Sequence, residues 1–183
     1  PLPTDSTTTG AEAFQGILPD GPQDAEALFV LGTGEMFVVT KGETGPVALY
    51  RFPSTAKAGG SASTLQKVGV LQSGKIGKGN WVTGASASPD GRFVVLRTHG
   101  ALTFYDASRI TKGDFGSALR FSVLAMKEPQ GEGVAFGTNG AVFPGFEYLN
   151  IDMGDMDYAN GCNLLFQQEF YEGAATIGGW FPI

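Results

Sequence analysis

The sequence predicts an all-β protein, and three observations carry that expectation. Glycine supplies 28 of the 183 residues, and charged residues only 16% against 42% hydrophobic; this balance suits a turn-rich sheet protein with a core and argues against disorder. The stretch 24–40, DAEALFVLGTGEMFVVT, aligns without a gap with 81–97, WVTGASASPDGRFVVLR, and 130–144, QGEGVAFGTNGAVFP, when Gly34 is set over Gly91 and Gly140. In each copy an apolar run enters a Gly-bearing turn and a second apolar run leaves it, the signature of a β-hairpin. The aligned glycines lie 57 and then 49 residues apart, a period at which one supersecondary unit is used several times. The architecture that fits is β-propeller-like, with blades that are four-stranded antiparallel sheets.

The elements follow in order. Residues 1–13 are polar and rich in Pro and Thr, and read as an extended arm. The first blade occupies 14–80: a short strand over 14–18, a turn at Pro19-Asp20-Gly21-Pro22, hairpin strands over 27–31 and 35–40, a third strand over 47–52 with the alternation of a more exposed position, and an outer strand over 65–72. The second blade, 81–129, repeats that order with strands over 83–88, 93–98 and 101–107, turns at Pro89-Asp90-Gly91 and His99-Gly100, and a loop and outer strand within 109–126. Residues 130–183 begin a third copy and depart from the pattern at Pro144, so this is a partial or irregular blade. Residues 163–171 are compatible with a short helix or with a strand. Closed propellers need about four blades or more, and two complete blades imply that the chain is part of a larger or multi-chain propeller.

Charge is segregated under a net value of −6: all twelve Lys and Arg lie between Lys41 and Lys127, while 1–40 and 128–183 carry acids alone. No basic cluster is interleaved with exposed aromatics, so the expectation is ion pairing between the basic middle and its acidic neighbours, with no nucleic-acid partner. No run approaches the ~18 apolar residues of a membrane helix. The lone Cys162 has no partner for an internal disulfide. Few lysines, abundant Gly, Ser and Thr, and a start at Pro1 lean toward an extracytoplasmic or secreted protein.

The segments PQDAEALF (22–29), VTGASASPDGRFVVLRT (82–98) and PQGEGVAF (129–136), in that order, resemble consecutive blade starts of bacterial exported β-propeller proteins of the TolB/NHL-like superfamily, over roughly residues 20–143. The resemblance implies a radial β fold, usually of about six blades, with ligand sites near the central channel, and it implies no particular reaction.

Glu26, Thr83 and Glu132 hold one aligned position, eight residues before the shared glycine. If the first strand of each blade lines a channel, these side chains gather at its mouth, where Glu26 and Glu132 either ligate Ca²⁺ through oxygen or cap backbone amides of the adjoining blade. Asp152, Asp155 and Asp157 form a second acidic group that is either an irregular Ca²⁺ site, helped by Asn150 or Asn160, or a solvated loop. It is not an EF-hand, because Asn160 and Phe166 stand where the turn glycine and closing glutamate belong. The lone His99, with no G-x-S-x-G, nearly excludes a serine triad. A transition-metal site of several His or Cys ligands is excluded within this chain. Trp81 and Trp180 either stack on a sugar or pack in the interior. Two functions follow: a non-catalytic binding or assembly scaffold with protein partners or further blades from other chains and no cofactor, or a Ca²⁺-dependent lactonase or esterase built on Glu26, Glu132 and Asp152.

Overall fold

The computed structural model describes residues 13–124, 131–138 and 140–146. Within them the protein is all-β. One four-stranded antiparallel sheet is ordered β2 (Ala27–Val30), β3 (Met36–Val39), β4 (Val47–Arg51), β6 (Gln66–Gln72). A second repeats that antiparallel order with β7 (Val82–Ala87), β8 (Phe93–Thr98), β9 (Ala101–Asp106) and β10 (Leu119–Ser122). A third hairpin pairs β11 (Gly131–Phe136) with β12 (Val142–Phe146), and β1 (Gly16–Ile17) runs parallel to β5 (Ser63–Thr64).

The three aligned glycines make the same turn. Gly34, Gly91 and Gly140 have φ of 86°, 69° and 80°, a left-handed conformation that costs a side-chain-bearing residue about 1–2 kcal/mol. Each donates its N–H to the carbonyl three residues back, on Leu31, Ser88 and Gly137 respectively, at 2.8–2.9 Å. The first and third turns then close identically, Leu31 to Glu35 and Gly137 to Ala141. The second admits one more residue, Ser88 closing onto Phe93, with the Asp90 carboxylate tying down Ser88 and Arg92. Those hydrogen bonds, from Ser88 first and then Arg92, hold Asp90 down at about 2. The gapless alignment therefore hides a one-residue shift in strand pairing in the second hairpin.

Strand faces then sort the apolar residues into layers. Leu28, Ala85 and Val134, at matching positions, are all buried. Phe29, Phe37, Val39, Val47 and Leu49 pack against Ala85, Val94 and Leu96 between the two sheets, with Phe29 and Phe37 stacked at 4.9 Å. Val95 and Leu102 on the far side of the second sheet meet Val134 and Phe136 of the third hairpin. The far side of the first sheet, Leu28, Val38, Ala48 and Tyr50, is covered by Phe14, Leu18 and Ala25. That cover corrects one expectation: β4 is not a more exposed strand, since Val47, Ala48, Leu49 and Tyr50 are all buried.

The outer strand β6 is partly shielded by the loop before β10. A Cβ on Gly69 would lie 2.8 Å from the Phe115 ring, and one on Gly113 2.9 Å from the Val68 carbonyl, so this loop packs tightly on the inner face of β6. A one-turn helix, α1 (Ala107–Ile110), was not expected from sequence; Asp106 caps it by accepting from the Arg109 N–H. It drops Ala107 and Ile110 into the core between the sheets.

Candidate functional site

The starts of β2, β7 and β11 lie side by side across the two seams, β2 against β7 and β7 against β11. They carry the aligned Glu26, Thr83 and Glu132. Pairing shifts register between Val82 and Gly84 and again between Gly131 and Gly133, so Thr83 and Glu132 occupy matching bulges, a device that re-aims a side chain at the end of a strand. The flanking glycines permit close approach. A Cβ on Gly84 would stand 2.6 Å from the Glu132 carbonyl, and one on Gly131 would run into the Arg97 guanidinium.

At the first seam Glu26 is bound to a lysine. Lys41 Nζ lies 2.7 Å from Glu26 Oε1, 3.2 Å from Glu43 Oε2 and 3.3 Å from Asp24 Oδ2, and 4.8 Å over the Trp81 ring. Its backbone fixes the position: Lys41 N–H donates to the Asp24 carbonyl, and the Lys41 carbonyl accepts from Val82 at the start of the second sheet. Burial alone would lower the ammonium pKa, but the hydrogen bonds to Glu26, Glu43 and Asp24 outweigh it and hold the group well above the ordinary lysine value. Trp81 is half-buried, with its indole N–H donated to the Ile76 carbonyl at 3.1 Å, which gives it a structural partner.

At the second seam the corresponding carboxylate faces a histidine and the charge of a buried arginine. Glu132 Oε1 lies 3.8 Å from His99 Nδ1. Its charge also acts on Arg97, a fully buried residue whose guanidinium donates to the Gly133 carbonyl at 3.4 Å. Burial pulls Arg97 down to about 10 against the upward pull of Glu132, so the guanidinium stays charged at neutral pH. Thr83, the third aligned residue, donates its hydroxyl to the Gly131 carbonyl at 2.6 Å, and Phe136 N–H donates to Ser86 Oγ at 3.2 Å across the same seam.

A cleft of about 370 Å³ opens between the two sheets, with polar groups from Gln72, Asn80, Thr98, Thr103, Tyr105 and Arg120. Arg120 donates to the Asn80 side chain there at 3.2 Å. Among the described residues, no group of three or more His, Cys, Asp or Glu is placed to hold a metal ion, and no helix is long and apolar enough to cross a membrane. Of the acids expected at a metal site, Glu26 and Glu132 each face cations of their own chain, while Asp152, Asp155 and Asp157 lie outside the described residues, as do Cys162 and Trp180.

The cations that face the aligned carboxylates, Lys41 and Arg97, were missing from the sequence reading of the site. Both had a signal: Lys41 is the first base after forty residues that hold only acids, and Arg97 is the one charge inside the apolar run FVVLRT. No protein-family model matches the chain, and no curated protein matches it.

Proposed function

We propose that the chain is a non-catalytic propeller module, its sheets serving as successive blades, that works as a binding or assembly scaffold outside the cytoplasm and meets further blades or a protein partner. The observation that carries this reading is the neutralisation of the aligned carboxylates from within. Glu26 is engaged by Lys41 at 2.7 Å, and Glu132 faces His99 and the buried charge of Arg97. A carboxylate already bound to an ammonium or guanidinium has to give up that partner before it can ligate a divalent cation, so these groups serve the seams between blades. The resemblance to exported propeller proteins supports the same reading and is carried by the aligned hairpins.

Thermal melts with calcium and with chelator test it. The expected result is an unchanged Tm on adding calcium, since a ligand stabilises only by binding the folded state. A rise in Tm that disappears in Glu26→Gln or Glu132→Gln would overturn the scaffold reading in favour of the calcium-dependent hydrolase.

A further inference from the structure

Four arginines of this chain each face a carboxylate: Arg51 lies 3.7 Å from Glu35, Arg92 2.6 Å from Asp90 and Arg109 2.8 Å from Asp114, while Arg97 feels the charge of Glu132. Arg120 is the exception. Among the described residues its side chain meets an amide, donating to Asn80 Oδ1 at 3.2 Å, and no carboxylate. Strand register aims it. Across the second sheet Leu96 pairs with Thr103 and Thr103 with Arg120, so the three side chains form one row on the face turned toward the first sheet. Tyr105, two residues further along β9, shares that face. All four line the cleft between the sheets, and Val47, Leu71 and Ile76 give it an apolar wall. Among the described residues no acid lines it. Burial raises the Tyr105 phenol against the downward pull of the Arg120 charge, so at neutral pH the hydroxyl keeps its proton to donate.

We propose that this cleft is a binding site for a small carboxylate with an apolar body. The carboxylate meets the Arg120 guanidinium, with the Asn80 amide and the Tyr105 hydroxyl as further donors, and the body lies against Leu71, Ile76 and Leu96. Arginine's planar fork matches a carboxylate through two parallel hydrogen bonds, and such charge-assisted bonds are about twice as strong as neutral ones. A single cation suits a single negative charge. A phosphate monoester, with a charge of about −1.5 to −2, would bring charge that no other lining group offsets. The cleft stands at the lower end of the range for ligand pockets, about 300–1,000 Å³, which limits the body to roughly one aromatic ring on a short chain. The site goes beyond the scaffold reading, because it needs only the seam between the first two sheets and stands whether or not further blades join.

The probe is 3-phenylpropionate, titrated into the full chain while the methyl resonances of Ile76, Val82 and Leu96 are followed by NMR. Saturable shifts at these methyls are expected, with those of Leu28 and Val134 unmoved. Arg120→Gln should weaken binding at least tenfold, and the uncharged 3-phenylpropanol should bind the wild type at least tenfold more weakly, each for want of the charge-assisted pair. Arg51→Gln removes the same charge from an arginine that has its own carboxylate, and should leave the affinity within about twofold of the wild type. Equal affinity in Arg120→Gln, equal weakening in Arg51→Gln, or shifts that do not saturate by about 20 mM would overturn the inference. The alcohol decides the point even if the Arg120 variant does not fold, since binding equal to that of the acid would remove the charge pairing on which the site rests. Inorganic phosphate should not displace the probe; displacement would overturn the choice of a carboxylate.

Discussion

The two seams of this molecule solve one packing problem with different chemistry. Between the first and second sheets the contact is apolar, with Phe29, Phe37, Leu49, Val94 and Leu96 in one buried cluster, and its charges, Lys41 with three carboxylates, sit at the rim. Between the second sheet and the third hairpin, among the described residues, polar groups enter the apolar cluster: Arg97 and Thr83 are fully buried, and Ser86 nearly so. Apolar burial is non-directional, so register at the first seam is left to its rim, where the Lys41 carbonyl accepts from Val82. A buried guanidinium that must keep its charge partner and its carbonyl cannot slide without a large penalty, and the second seam is thereby held in one register.

The largest way to break that contrast is at Arg97. Arg97→Ala leaves Glu132 short of its buried countercharge and empties the space that Gly131 keeps open, so a loss of about 3–5 kcal/mol is expected by urea denaturation. Leu49→Ala at the first seam should cost about 2–5 kcal/mol through transfer and cavity terms. The seams then differ in what accompanies the loss: the Leu49 variant should keep the wild-type hydrogen-exchange protection at Val134 and Ala135, and the Arg97 variant should lose it.

Rim charge should matter less. Lys41→Met removes hydrogen bonds to carboxylates that are partly solvated, and about 1.5 kcal/mol is expected, declining with added salt. A melt insensitive to salt in both proteins would count against the electrostatic account of the first seam.

The smallest effect is a pH dependence on the outer face of the first sheet. Burial, then the hydrogen bond to Asp20 and the charge of that carboxylate, pushes the Tyr50 phenol up to about 12 from an ordinary value of 10. The folded state therefore holds the Tyr50 proton more tightly than the unfolded state between pH 10 and 12, so the stability it contributes is full below pH 10 and is lost as pH rises to 12. Tyr50→Phe should flatten that alkaline loss, read as Tm against pH; an unchanged slope would rule out the Tyr50 hydroxyl bonded to Asp20 as its source.

Much of the fold was legible because hairpins are written locally. Apolar runs flanking Gly34, Gly91 and Gly140 need only the turn and the alternation to be recognised, and β2, β3, β7, β8 and β9 fall within a residue or two of where those signals put them. The burial of Ala48 and Tyr50 in β4 was not legible, because it depends on Phe14 and Leu18, some thirty residues away in sequence. The helix α1 rests on one capping aspartate, too little to outweigh a surrounding strand pattern. At the site, the aligned acids could be found by counting from the glycines. Their partners could not: Lys41 reaches Glu26 across the sheet, and Arg97 comes within the field of Glu132 from another sheet, features set by pairing register.

The central claim is that the aligned carboxylates are held by the chain's own cations, and a double-mutant cycle on Arg97 and Glu132 tests it most directly. Arg97→Met, Glu132→Gln and the double variant would be unfolded in urea alongside the wild type. Each single change should destabilise, and the double change should cost less than the two combined, by about 1–3 kcal/mol, the range for groups in one charge network. Single effects that add to within about 0.5 kcal/mol would show that Glu132 does not serve Arg97, and would contradict the account.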